Sequence, residues 1–423
     1  MLAPQPLRVG EGAGMTERET VTPARLRRIN AAAVLDLLMS TGPVTGSEIM
    51  TATRLSRPTV HAACDELIDL GWVVELDGRR PDGQGRPGRP ARCYAFAADN
   101  GCVVGVDLGE WKVSAMLADL QGRPLAEAVV QLPSNHAPAG VRLSAARKAV
   151  RDVVRQSGAG SGSVRATCVG VAAAVRPGGR IYPSADPQYL PGLADVTITT
   201  AIGRGVGGPV LLDNDANLAV LAERWQGVAQ DVDNVVLVLA GERLGAGIVM
   251  DGRLVRGAGG AAGELALLEI VEGVGDTHGI GAVARMSGQN AVRRQRSARS
   301  RAGRSALYDL AAGDPGNVTG EIVAAAARQG DPAALDILRA VAARTARMVG
   351  VLSGLLDPEL VVIGGGVSDV MDLIHDHVVQ ELPRWLKRPP RVEASRLGDA
   401  GVVTGAVRWA LDEAHQEIRA TLN

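Results

Sequence analysis

The chain has 423 residues, 46% hydrophobic and 22% charged, which is enough to build more than one apolar core and excludes disorder throughout. Its formal net charge of -1 excludes a generally basic surface, so any contact with nucleic acid has to come from a local patch. Cys64, Cys93, Cys102 and Cys168 contain no CxxC pair and no disulfide framework, no apolar run reaches membrane-spanning length, and the opening "MLAPQPLRVGEGAGMTERET" has no signal-type core, which together fit a reducing cytoplasm and no membrane partner.

Residues 1–22 read as a flexible N-terminus. From Leu26 to Ser40 the apolar positions Ile29, Val34, Leu37 and Leu38 recur at helical spacing before the breaker "TGP", predicting a first helix. Thr45 followed three residues later by Glu48 is a capping-box pattern and predicts a second. Ser56 can cap a third, "RPTVHAACDELIDLGW", in which Pro58 is tolerated in the first turn. Its apolar stripe is Val60, Cys64, Leu67 and Ile68, and its opposite surface offers Arg57, Thr59 and His61. Gly71 ends this helix and "WVVEL" reads as a strand. Residues 79–92 then place Arg79, Arg80, Arg86, Arg89 and Arg92 against one acid, Asp82. Such a loop suits a phosphate backbone or a narrow minor groove, while Arg57 can reach a phosphate or a guanine edge and Thr59 and His61 can donate hydrogen bonds.

In that order, "TGPVTGSEIMTATRLSRPTVHAACDELIDLGWVVE" followed by "GRPGRPARCYAF" resembles the winged helix-turn-helix of ROK-family transcriptional regulators. The resemblance implies a DNA-binding domain over residues 23–97, with Ser47–Thr53 as positioning helix and Arg57–Leu70 as recognition helix. It implies DNA contacts by Arg57, Thr59 and His61 and, in the wing, by Arg86 and Arg89.

Beyond it, a strand over Val103–Asp107, a tight turn, a strand over Val113–Leu117 and a polar turn at Gln121–Gly122 recur in kind in "NVVLVLAGERLGAGIVMDGRLV", predicting duplicated α/β lobes around a cleft. Within the same resemblance, residues 101–418 look like the actin-type (ribonuclease H-like) ATPase fold of sugar kinases, so the expected fold class is α/β, a winged helix-turn-helix followed by two lobes. The kinase pattern for the first turn is D-x-G-G-T, where the chain has Asp107, Leu108, Gly109, Glu110 and Trp111. For the second turn it is G-T-G, where the chain has Gly241, Glu242 and Arg243. A carboxylate beside a triphosphate raises the electrostatic cost of binding, and a bulky side chain removes the close backbone approach that glycine permits. Arg243 could pair with a glutamate or bind a phosphate itself.

The acceptor side keeps the pattern. In "PVLLDNDANLAVLAERW" the resemblance implies that Asn214 binds sugar hydroxyls and that Asp215 holds the base position, left vestigial, with Glu264 of "GAGGAAGELALLE" a further sugar contact. The family's C-x-C-G-x-x-G-C-x-E zinc motif is missing, Leu267 or Leu268 stands near the place of the ligand histidine, and no metal is expected. "DPELVVIGGGVSDVM" brings Gly364, Gly365 and Gly366 after an apolar strand, a weak nucleotide signal by itself. The arginines of residues 292–305 spread around a helix and read as a solvated surface, and the alanine-rich stretch after Glu321 offers Ile337, Val341 and Val349 for packing.

The leading expectation is a DNA-binding transcriptional regulator, a repressor, that senses a sugar or sugar derivative, is not an enzyme, uses no cofactor and binds a double-stranded operator as a homodimer or homotetramer. An active ATP-dependent sugar kinase with an attached DNA-binding domain, and a ligand-independent DNA-binding regulator, are the alternatives.

Overall fold

The computed structural model describes residues 22–76, 92–183, 186, 188–274, 278–297 and 305–422. The tail expected over residues 1–22 is thus described only at Thr22, and Arg79, Arg80, Asp82, Arg86 and Arg89 of the arginine loop lie outside the described residues. The backbone divides into one unit of Met1–Ala97 with Arg419–Asn423 and a second of Ala98–Ile418.

The first unit runs α1 (Pro23–Ser40), β1 (Val44–Thr45), α2 (Gly46–Thr53), α3 (Arg57–Asp69), β2 (Val73–Leu76) and β3 (Cys93–Phe96). The caps expected for α2 and α3 form, and α1 has one as well. Thr22 accepts from the Arg25 amide, Ser56 accepts from the Thr59 amide, and the Thr45–Glu48 box closes in both directions. Leu35, Leu38, Ile49, Val60, Leu67 and Tyr94 fill the core, and the three strands pair in the order β1-β3-β2, all antiparallel. Three helices and a small antiparallel sheet in this order make a winged helix.

The second unit opens with β4 (Cys102–Leu108), β5 (Lys112–Asp119), β6 (Pro124–Gln131), α4 (Ala139–Ser157), β7 (Val164–Val171), β8 (Val175–Arg176), β9 (Arg180–Ile181), α5 (Ile198–Gly203), β10 (Val210–Asn214) and α6 (Asp215–Gln226). It continues with β11 (Val235–Leu239), β12 (Gly245–Met250), β13 (Arg253–Leu254), α7 (Ile280–Ser297), α8 (Ala306–Leu310), α9 (Gly320–Arg328), α10 (Pro332–Leu356), β14 (Leu360–Gly364), α11 (Ser368–Glu381), β15 (Arg391–Ala394) and α12 (Gly401–Ala420).

Its two five-stranded sheets share one plan. In the first the order is β10-β7-β4-β5-β6, and in the second β13-β12-β11-β14-β15. Each begins with an antiparallel meander, after which two strands add in parallel on the far side of the first. The two α/β lobes are therefore repeats, the arrangement of actin-type ATPases. β4, β7, β11 and β14 are mostly apolar and buried because neighbours cover them on both faces, the usual pattern of central strands, with Asp107 near the carboxyl end of β4 and Arg165 and Thr167 in β7 as the polar members. The hairpin β12–β13 turns on Asp251 and Gly252, both with positive φ, as the tight two-residue turn demands.

Register fixes where chemistry can occur. Leu108, Val171 and Asn214 share one row at the carboxyl ends of β4, β7 and β10, while Leu239 pairs with Gly364 at the corresponding edge of the second sheet. In α/β sheets that edge is where ligands bind. The helix α6 rides close on β12: a Cβ at Gly247 would lie 2.1 Å from the carbonyl oxygen of Ala216, so only glycine fits there.

Candidate functional site

The chain leaves β10 through Asp213, Asn214 and Asp215, and each carboxylate or amide has a different job. Asp213 is buried; its Oδ2 accepts from Arg256 at 2.6 Å, and its Oδ1 accepts from the Asn214 amide and from Asn217 Nδ2 at 2.8 and 2.9 Å. Asn214 caps α6, its side-chain oxygen accepting from the Ala216 and Asn217 amides while Nδ2 donates to the Ala173 carbonyl. Asp215 stands in the first helical turn with Oδ1 on the Ala216 amide at 2.8 Å.

Asp215 belongs to the wall of two cavities. The smaller, about 520 Å³, is lined by Asn214, Asp215, Glu264, Tyr182, Asp186 and His278 among others. The larger, about 730 Å³, is lined by Asp107, Gly109, Lys112, Gly365, Gly366 and Asp399 among others. Both volumes suit small molecules. Ala172, Tyr189, Asp215, Leu239 and Arg243 line both, so the cavities share a wall. The three expected acceptor residues, Asn214, Asp215 and Glu264, come together in the smaller cavity.

The carboxyls here are hard to ionise. Burial, reinforced by the negative charge of Asp107 and more weakly of Glu264, pushes Asp215 up to about 8 against the pull of the Ala216 amide. Burial likewise raises Asp107 to about 7, with Lys112 opposing and Asp399 assisting the rise. Lys112 Nζ is itself bonded to Asp399 at 2.6 Å. Burial raises Glu264 as well.

Both departures at the glycine turns are accommodated. Glu110 pairs with Arg243 at 3.3 Å, and Glu242 takes a two-point contact from Arg285, at 2.6 and 3.3 Å. Trp111 is 51% exposed, and the larger cavity stays open beside it. Beneath the first turn lies Arg142 of α4, wholly buried, which donates to the carbonyls of Gly109, Glu110, Ala137 and Asn135. Sequence reading missed Arg142 and Arg285. Arg142 does carry a signal: it falls at helical spacing with the buried Ala145, Ala146, Ala149 and Val153.

The loop expected to hold zinc in relatives is ordered by packing. Leu265 and Val274 sit in the second lobe's core with Leu268 against it, and Arg344 donates to the Val274 carbonyl. Among the described residues no three His, Cys, Asp or Glu side chains gather as metal ligands. Of the arginines in residues 292–305, Arg293, Arg294 and Arg296 are exposed on α7 and residues 298–304 lie outside the described set.

In the first unit Arg57 is exposed at the start of α3. Thr59 and His61 are half-buried and already engaged, Thr59 Oγ1 with Ser56 Oγ at 2.8 Å and His61 Nδ1 with the Tyr94 hydroxyl at 3.1 Å. Arg92, at the root of the arginine loop, is held by Glu75 and Asp65 and is thereby partly neutralised.

Residues 103–413 match the ROK family and residues 22–86 match the MarR family. A glucokinase of Streptomyces coelicolor is 31% identical over 324 residues, spanning 73% of this chain and 98% of its own. The solved ROK family glucokinase from Streptomyces griseus, in complex with glucose and AMPPNP, superposes with a TM-score of 0.62 at 28% identity, covering 74% of this chain and all (100%) of its own. A ROK family transcriptional regulator, a homolog of the E. coli MLC protein, superposes with a TM-score of 0.70 at 21% identity over 94% of this chain and 98% of its own, a likeness of fold.

The glucokinases overturn the expectation of a degenerate kinase body in a protein that is not an enzyme. The physical error lay in treating Glu110 and Glu242 as bare charges, whereas each is neutralised by an arginine and Trp111 leaves the cavity open. With a family match over residues 103–413 and the duplicated lobes that match requires, the chain belongs to the ROK family.

Proposed function

We propose that the chain is an ATP-dependent sugar kinase that carries a DNA-reading N-terminal unit. The observation that carries the kinase reading is the position of Asp215 in the wall common to both cavities, where one carboxylate faces an acceptor pocket and a pocket of glycine turns. The glucokinase that is 31% identical, and the one solved with glucose and AMPPNP, support it.

In this reading the sugar occupies the smaller cavity, with Asn214 and Glu264 accepting and donating at its hydroxyls, and Asp215 takes the proton of the hydroxyl that attacks phosphorus. The triphosphate occupies the larger cavity. Asp107 fits a magnesium complex, because magnesium favours one or two carboxylates together with phosphate oxygens and water. When bound, the ion offsets charge on the phosphates. Arg142 meanwhile fixes the carbonyls of the first turn, and the raised Asp215 carboxyl is a strong enough base to hold the proton once it is taken.

Purified full-length protein with magnesium, ATP and a panel of aldohexoses and N-acetylhexosamines is expected to release ADP with at least one sugar. ADP release from none of them, with sugar binding intact by calorimetry, would overturn the kinase reading.

The DNA-reading part rests on the winged-helix order of the first unit, the MarR-family match and the exposed Arg57. Arg57, Thr59 and His61, with Arg86 and Arg89 of the wing, are the proposed contacts, and two or four copies of the chain would meet a two-fold operator. The compartment is proposed to be the cytoplasm, in keeping with four buried, unbridged cysteines. No helix among the described residues is long and apolar enough to cross a membrane. Replacing Arg86 and Arg89 together by alanine is expected to weaken binding on all duplexes and to lower the slope of log K against log salt by about 2. Arg57→Ala should cost more on a selected site than on random DNA, measured by fluorescence anisotropy; equal loss on both would make it a phosphate contact.

A further inference from the structure

Arg243 stands where the kinase pattern has the last glycine of its second turn, and its surroundings give it a task. It lines both cavities, as Asp215 does. The guanidinium lies over the ring of Tyr189, 3.6 Å from the centroid, and the Tyr189 hydroxyl is tied to the Ala172 carbonyl at 2.9 Å. It reaches two carboxylates on separate segments, Glu110 of the first turn at 3.3 Å and Asp186 at 3.2 Å. Each is a longer contact than the 2.6 Å bond by which Arg285 grips Glu242. A planar guanidinium on an aromatic shelf keeps its plane while its edge exchanges partners, and a phosphoryl group presents the same paired oxygens as a carboxylate with more charge.

Resting on the kinase reading above, we propose that Arg243 clamps the phosphoryl group in flight, exchanging Asp186 for its oxygens once ATP and sugar are bound while Nε stays on Glu110. The sugar oxygen forms its bond to the γ-phosphorus as the bond from that phosphorus to the β–γ bridging oxygen breaks. ADP leaves with the electron pair, and the hydroxyl proton passes to Asp215. Arg243 donates hydrogen bonds throughout and keeps its own protons. Because charge on the equatorial oxygens is shared most widely in the transition state, the clamp acts on kcat more than on ground-state affinity. The exchange frees Asp186 and leaves Glu110 paired, so the arginine that neutralises the departure at the first turn is also the one that uses the phosphate it admits.

The test compares wild type, Arg243→Ala, Arg243→Lys and Glu110→Gln as full-length proteins. Steady-state kcat and KM for sugar and ATP are measured, with calorimetric binding of ADP alone and of ADP with magnesium, aluminium fluoride and sugar. Arg243→Ala is expected to lower kcat by about 100-fold to 1000-fold, below the full effect of an arginine finger because magnesium and backbone remain. Its KM for sugar should stay within about threefold and its affinity for ADP alone should be kept, while the tightening that aluminium fluoride brings in wild type should vanish. Arg243→Lys should recover no more than about tenfold, since a point charge cannot make the paired contact. Glu110→Gln, which removes a carboxylate beside the triphosphate, should lower the KM for ATP.

An active wild type whose Arg243→Ala form keeps kcat within about threefold and still tightens on aluminium fluoride would overturn the clamp and leave the kinase reading standing. A raised KM for ATP at unchanged kcat would also overturn it, making Arg243 a ground-state contact. Wild type inactive on every sugar would remove the kinase reading and the clamp with it. An Arg243→Ala protein that no longer binds ADP is replaced in these comparisons by Arg243→Lys, whose kcat at wild-type level would equally overturn the proposal.

Discussion

Asp215→Asn should lower kcat by about 100-fold to 10,000-fold, the range of a lost general base, with sugar affinity changed little because the amide keeps the hydrogen-bonding shape of the carboxyl. Coupled detection of ADP and calorimetric titration with the accepted sugar would check both halves. The pH profile carries a second signature. A base has to be ionised to act, and Asp215 and Asp107 are raised to about 8 and about 7, so kcat/KM should climb with pH through that window and not near pH 4. The two carboxyls influence one another, so the limb belongs to the pair.

Stability should move the other way. The folded-state value of Asp215 lies above its unfolded value, so its contribution is fully present below the ordinary carboxylate range and is lost as pH rises toward about 8. Asp215→Asn, which has no proton to lose, should therefore melt higher than wild type on the alkaline side of the limb. An unchanged kcat in Asp215→Asn would remove the base from the mechanism.

Arg142→Met is expected to destabilise the second unit by about 2–4 kcal/mol, because it strands the buried carbonyl of Ala137 and the half-buried ones of Gly109, Glu110 and Asn135, at about 1 kcal/mol each without a donor. Urea unfolding would read the loss as a lower midpoint. Residual folded protein should show a raised KM for ATP, since the carbonyls of Gly109 and Glu110 would be free to swing toward the triphosphate. Arg142→Lys should fall between, having charge enough but too few donors to hold carbonyls from three places in the chain. A midpoint unchanged in Arg142→Met would mean that water replaces the guanidinium.

Elements set by nearby residues could be read from the chain alone. The Thr45–Glu48 box, the Ser56 cap and the two strand-turn-strand openings depend on neighbours a few positions apart, so their residues announced them. The charge state of the cleft depends on pairings between distant segments. The sequence offered Arg243 as a partner for a glutamate without saying which, and nothing in "AGERLGAG" reveals Arg285 as the partner of Glu242. Arg142 was hidden among the four arginines of "VRLSAARKAVRDVVRQ", two of them exposed, and only helical spacing sets it apart. The zinc motif's absence was legible, but not that Leu265, Val274 and Arg344 would hold the loop in its stead.

The identical strand order of the two sheets makes the β4–β5 and β11–β12 turns counterparts, and the Glu110–Arg243 bridge joins one counterpart to the other. The coupling is one-sided. A small residue in place of Arg243 would strand Glu110, whereas Arg243 would keep Asp186 if Glu110 were lost, so the first turn depends on its twin in the other lobe more than the twin depends on it.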